Sequence, residues 1–174
     1  ETVQSEFGKI DILINNAASG IHKKAEDLSE KHWDWTMNIN AKAPWICSIK
    51  ASKIMPPGSK IINITSQGSQ KVLPYYFSVG TSKAALEAMT RYLAVELSYK
   101  DISVNAVSGG YIHTEALDHF PNKSEMISAS KKNLSNRPLE AHDIAKVVRF
   151  LCTKDADMIR GQVIIVDGGY SLKV

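Results

Sequence analysis

Four short runs dominated by isoleucine and valine recur along the chain, with enough sequence between them for a helix each time. They are IDILIN (residues 10–15), KIINIT (60–65), ISVNAV (102–107) and QVIIVD (162–167). Each is bounded by Gly, Ser or Asn, and none alternates apolar with polar, the pattern of strands buried on both faces of a parallel sheet. Between them lie helical patterns. Ser29 caps a predicted helix over 29–55 that Pro44 should kink or split. A second is predicted over 78–99, rich in good helix formers such as Ala84, Ala85, Ala88 and Leu93, and a third over 141–153. Residues 114–138 are polar, lysine-rich and weakly periodic, a loop with short helices. The order β-α-β-α-β-loop-α-β predicts a doubly wound α/β fold with four parallel strands and right-handed crossovers. Ligands of such sheets bind beyond the carboxyl ends of the strands, where Asn15-Asn16, Ser66-Gln67 and Ser108-Gly109-Gly110 would converge.

The chain's 174 residues suffice for one domain with a sizeable core. Net charge is +3, from 21 basic and 18 acidic residues, and no basic run stands out. That balance suggests neither a nucleic-acid partner nor a membrane surface. No apolar run is long enough to cross a bilayer, and no secretory signal opens the sequence. Cys47 and Cys152 lack metal-ligand spacing and read as small core hydrophobes, which fits a reducing, cytoplasmic setting. The five histidines likewise show no ligand spacing, so no metal site is expected. Trp33, Trp35, Trp45 and Phe150 read as core or interface aromatics. The opening ETVQSEFGK reads as the tail of a helix closing at Gly8 with no partner strand before it, so a partial chain is expected.

PYYFSVGTSK (74–83) poses the chemical question. Nicotinamide-dependent reductases often place a tyrosine four residues before a lysine, but Val79 stands four before Lys83. Tyr76 stands seven before it. At about 100° per residue, seven positions return to within about 20° of the same helix face, whereas Tyr75 falls about 80° away. Tyr76 and Lys83 can therefore share a face, the acid displaced by one turn.

NNA (15–17), the NIN containing Asn40, the ITS ending in Ser66, Lys83, VNAVSGGYIHT (104–114) and VDGG (166–169) together resemble the short-chain dehydrogenase/reductase family over essentially the whole chain. The resemblance implies a Rossmann-like sheet and a nicotinamide cofactor. The family's opening T-G-x-x-x-G-x-G turn, an anion cradle at a helix N-terminus, is absent. Residues 1–174 thus read as a single partial domain holding the C-terminal portion and lacking a βαβαβ half of about 60 residues or more. Such a piece is expected to be inactive alone.

Y-x6-K is the signature of the family's enoyl-acyl-carrier-protein reductase branch, and the chain is most similar to its bacterial, NADPH-dependent type III members. In a carbonyl reductase the acid protonates the oxygen next to the carbon that takes the hydride. In an enoyl thioester, charge develops on an oxygen farther along the conjugated system, which suits a displaced tyrosine. The resemblance implies that Tyr76 stabilises the enolate and that Lys83 holds the nicotinamide ribose hydroxyls. Ser66 matches the serine that polarises the carbonyl in ordinary members; hydrogen bonding within the site is its other reading. Asn40 matches an asparagine that links the lysine to a water chain, or else satisfies backbone groups near the helix kink. Asn15 and Ala17 fall at the adenosine side of the cofactor, backbone around Gly110 and Ile112 at the nicotinamide carboxamide, and Thr114 at the cofactor's amide or phosphate. Gly109 stands where the family usually has proline. Phe120 and Met126 are implied acyl-chain contacts; Lys123, Lys131 and Lys132 either meet an acidic acyl carrier protein or form a solvated face. The resemblance also implies a homo-oligomer, dimer or tetramer, in which the helices over 29–55 and 78–99 pack against copies of themselves. Two other readings stay open: a carbonyl or alcohol (3-ketoacyl) reductase of the same family, and a catalytically silent nucleotide-binding protein, which Val79 favours.

Overall fold

The computed structural model describes residues 2–112, 124, 128, 132–135 and 137–172. Thr114, Phe120, Lys123, Met126 and Lys131 lie outside the described residues. Strands β1 (Ile12–Asn15), β2 (Lys60–Ser66), β3 (Ser103–Gly109) and β4 (Val163–Val166) form one parallel sheet in the order β1-β2-β3-β4. The expected doubly wound, Rossmann-like arrangement is present, with helices on both faces. Registers align the carboxyl ends: Asn15 opposes Asn63, and Ser66 opposes Gly109, which opposes Val166.

Side chains alternate across a strand, and β2 uses both of its faces. Ile61 packs with Ala51, Met55, Leu93, Leu97, Ile102 and Val104 on one side of the sheet. Its neighbour Ile62 packs with Val107, Val148, Leu151 and Ala156 on the other. Both isoleucines are fully buried. Continuous apolar sequence is the consequence of this two-sided burial. At the β1 edge the cover stops: Ile12 and Ile14 are about half exposed and, with Ile64, Ile112, Ile144 and Val148, line an apolar groove of ≈ 750 Å³.

Helix α1 (Thr2–Phe7) closes at Gly8, whose φ of 72° only glycine adopts easily. The region expected to be one kinked helix is α2 (Glu30–Met37), a π turn (Asn38–Lys42) and α3 (Ala43–Ala51). The π turn precedes Pro44, and its wider hydrogen-bond loop accommodates a residue that has no N–H to give. Helix α4 (Phe77–Glu96) and α5 (Ala141–Leu151) follow the predicted positions within a few residues. Ser29 caps α2 in a reciprocal capping box with His32. Ser29→Ala is expected to lower folding stability by about 1 kcal/mol, read from the urea midpoint at constant m-value.

Two expectations about the core do not hold. Cys47 is exposed and Cys152 only partly buried. The buried residues of α3 are Pro44, Ser48 and Ala51, and Cys47, about 60° round the helix from Pro44, stands at the open edge of that stripe. Trp35, Trp45 and Phe150 are also about half exposed, so they are not core aromatics. Among the described residues, no helix is long and apolar enough to cross a membrane.

Candidate active site

The carboxyl end of β2 organises the site. Ser66 is its last residue, followed by a tight turn (Gln67–Ser69) and then the loop to α4. Tyr75 takes φ 61° and Tyr76 φ −107°, so Tyr76 is the residue that caps α4 rather than one within it. Its hydroxyl lies 3.2 Å from Ser66 Oγ. The ring lies over Gly68, where a Cβ would stand 2.4 Å from Tyr76 Cδ1; only glycine allows that approach. The His22 imidazole stacks on the phenol at 5.9 Å and 15°. Burial pushes the Tyr76 pKa up, with the Ser66 hydrogen bond opposing, so the phenol keeps its proton near neutral pH.

Helix phase leads to Tyr76, but the placement of that residue has a different origin. Tyr76 precedes the first turn of α4, and its direction comes from the Tyr75 backbone, Gly68 and Ser66. Tyr75 is 37 % exposed and turns to an open groove beside Pro74 and Phe77. Val79 is buried against the loop after β1, where a Cβ on Gly20 would stand 2.3 Å from it. The missing acid at that position is thus a packing residue.

Lys83 is 5 % exposed, and its Nζ donates to the Ile64 carbonyl at 2.8 Å. Burial lowers its pKa to about 8. Ile64 and Ser66 are two residues apart, roughly 6.6 Å along the strand, so amine and phenol serve the same end of β2. Asn40, fully buried in the π turn, accepts from Ser19 N at 2.9 Å and donates to Ser19 O at 2.8 Å and Ser82 Oγ at 3.0 Å. Those bonds pin the loop after β1 to α4, the backbone-satisfying role.

Asn15 braces the sheet, donating to Asn63 Oδ1 at 2.8 Å and Ser48 Oγ at 3.2 Å. Ala17 is exposed beyond β1. Gly110 donates its N–H to the Val166 carbonyl, and a Cβ there would stand 2.7 Å from Asp167 Cβ, so close packing requires the glycine. Ile112 sits on the wall of the apolar groove, its Cδ1 3.9 Å from where a Cβ on Gly109 would stand. Sequence reasoning missed His22, which carries no spacing signal, and Glu87. The latter had one: an acid four residues after Lys83 on a helix face that is otherwise buried. Among the described residues no group of His, Cys, Asp or Glu could hold a metal.

The residues present fit a nicotinamide nucleotide. An ammonium has three donors, and Lys83 uses one on Ile64, leaving two for a sugar diol. Ile64, Ile112 and Ile144, with Asn16 beside them, offer an apolar wall and a polar rim of the kind a flat carboxamide-bearing ring requires.

Residues 1–171 match the family model described as Enoyl-(Acyl carrier protein) reductase. The 1-cyclohexenylcarbonyl-CoA reductase of Streptomyces collinus is 33% identical over 99% of this chain and 62% of its own length. The NAD-dependent glycerol dehydrogenase of Listeria innocua is 36% identical over 98% of this chain and 68% of its own. The enoyl-acyl-carrier-protein reductase of Plasmodium berghei, solved with triclosan, superposes with a TM-score of 0.93 at 28% identity, covering 99% of this chain and 62% of that one. The chain thus spans about two thirds of the length of the curated relatives it matches, 62% of the first and 68% of the second.

Proposed function

This chain belongs to the short-chain dehydrogenase/reductase family of oxidoreductases, and on that premise we propose that it reduces trans-2-enoyl thioesters carried on acyl carrier protein, with NADPH as hydride donor, in fatty acid elongation. The observation that carries the reading is the Tyr76 hydroxyl, 3.2 Å from Ser66 Oγ, at the strand end that Lys83 also serves. The resemblance to the type III branch supplies NADPH and the carrier protein; the match to the enoyl-reductase family supports the reaction class.

When bound, a nicotinamide cofactor would supply the hydride that adds at C3 of the enoyl group. Tyr76 donates a hydrogen bond to the thioester oxygen, where negative charge develops, and so stabilises the enolate more than the ground state. Its raised pKa keeps the proton on the phenol as a donor. Lys83 places positive charge beside the developing anion and orients the ribose with its two unused N–H groups. Ser66 fixes the phenol's direction. Solvent water then protonates C2 of the enolate, which completes the addition of one hydride and one proton.

A second reading is favoured by the same contact. A serine–tyrosine hydroxyl pair also suits polarisation and protonation of a ketone oxygen, as in a 3-ketoacyl reductase, and the matched glycerol dehydrogenase is a relative of that chemical class. NADPH oxidation by the whole protein separates the two. Crotonyl thioester is expected to exceed acetoacetyl thioester in kcat/KM by about tenfold or more, a transition-state difference of about 1.4 kcal/mol, and NADPH to exceed NADH. The opposite substrate order selects the ketoreductase; NADPH binding without turnover of either substrate selects the silent protein.

A further inference from the structure

We propose that Glu87 is a positioning residue for the Tyr76–Ser66 pair, holding the turn on which the phenol rests; this builds on the role of Tyr76 argued above. Glu87 is 4 % exposed and lies on α4 one turn beyond Lys83. Among the described residues it has no salt-bridge partner. A buried carboxyl without a cation is costly unless hydrogen bonds satisfy it, and here three neutral side chains do so. Thr65 Oγ1 donates at 2.9 Å and Gln70 Nε2 donates to the second oxygen at 3.1 Å, while the single proton of the Ser69 hydroxyl is shared between the carboxyl and the Ser66 carbonyl, 2.7 Å away.

The placement of those donors gives the carboxylate its purpose. Thr65 and Ser69 flank Ser66 and the turn that follows it, and Gln70 closes that turn. Within the turn, Gly68 lies against the Tyr76 ring. Its carbonyl oxygen would be 2.6 Å from a Cβ on Gly80, which would itself stand 3.5 Å from Tyr76 Cδ1. A shift of the turn therefore presses on the phenol. Glu87 therefore fastens the seat of Tyr76 to the helix that carries Lys83, and it acts on the reaction through the Tyr76 hydroxyl that the Ser66 turn holds. A purely structural carboxylate would stabilise the fold without regard to which residue is at position 76.

A double-mutant cycle in the whole protein distinguishes these. Misplacement of a reacting group by about 1 Å can cost on the order of 10²-fold. Glu87→Ala is accordingly expected to lower kcat by about 10- to 100-fold with KM changed less than about twofold. In a Tyr76→Phe background, where no hydroxyl remains to be positioned, the same change should alter kcat less than about twofold. Glu87→Gln keeps an acceptor for Thr65 and Ser69, and the Gln70 amide can turn to receive the new N–H, so most of the rate is expected to return. Should Glu87→Ala fail to fold, Ser69→Ala removes one clamp bond and enters the same cycle. Equal kcat losses in both backgrounds, or lost stability with kcat unchanged, overturn the role of Glu87 while leaving that of Tyr76. A Tyr76→Phe enzyme at full rate overturns both.

Discussion

Replacing Tyr76 by phenylalanine in the whole protein is expected to lower kcat for crotonyl thioester reduction by about 10²- to 10³-fold, the usual cost of losing one oxyanion donor. KM and folding stability should stay close to those of the parent. The substitution removes one oxygen and leaves the ring, so the contacts with Gly68 and the stack on His22 persist. What is lost is the donor aimed at the oxygen that gains charge. The hydroxyl's hydrogen bond to Ser66 goes with it, but Ser66 is not fully buried, and solvent can satisfy its Oγ. The loss therefore falls on the transition state and not on the fold. Steady-state kinetics together with a urea titration read the two separately. A kcat within about twofold of the parent would remove Tyr76 from the chemistry and leave Ser66 as the hydroxyl to be examined.

The sheet was legible because burial on both faces of a parallel strand writes itself into the sequence as unbroken Ile and Val. Ile61 and Ile62 show why: adjacent residues serve opposite cores, so neither position tolerates a polar group. Helix ends were legible where a cap exists, as at Ser29, and drifted where none does, as at the C-terminal end of α3. Tyr76 was singled out by counting turns in a helix it does not enter. It still lies beside Ser66 because a capping residue one step before α4 packs over the preceding turn. Orientation was what sequence withheld. Nothing in the spacing of Asn40 says that both ends of its amide are used by Ser19 and Ser82, and nothing in GSQ says that the serine and glutamine fold back onto Glu87. Those bonds depend on loop paths that only the assembled sheet defines.

Lys83 should show opposite signs in activity and stability. Lys83→Met is expected to lower turnover by about 10²-fold or more, because the charge beside the developing anion and the donors for the ribose both disappear. Thermal stability, however, should hold or rise. Burial holds the Lys83 pKa at about 8 in the folded protein, against about 10.4 in an unfolded chain. Below pH 8 the folded state carries the full penalty of a buried ammonium. Between pH 8 and about 10.4 the unfolded chain binds the extra proton, so the Lys83 contribution to stability becomes more favourable as pH rises through that window. Methionine has a similar length and no charge, and so removes the penalty at every pH; the Ile64 carbonyl loses one donor, a smaller effect. The same titration predicts that kcat/KM of the parent enzyme falls as pH rises above about 8, since the neutral amine no longer favours charge on the thioester oxygen. A pH–rate profile and melting curves of parent and variant test both signs. A profile flat from pH 7 to about 10, or a variant that melts well below the parent while keeping its rate, would mean that the buried amine is a structural donor to β2 and nothing more.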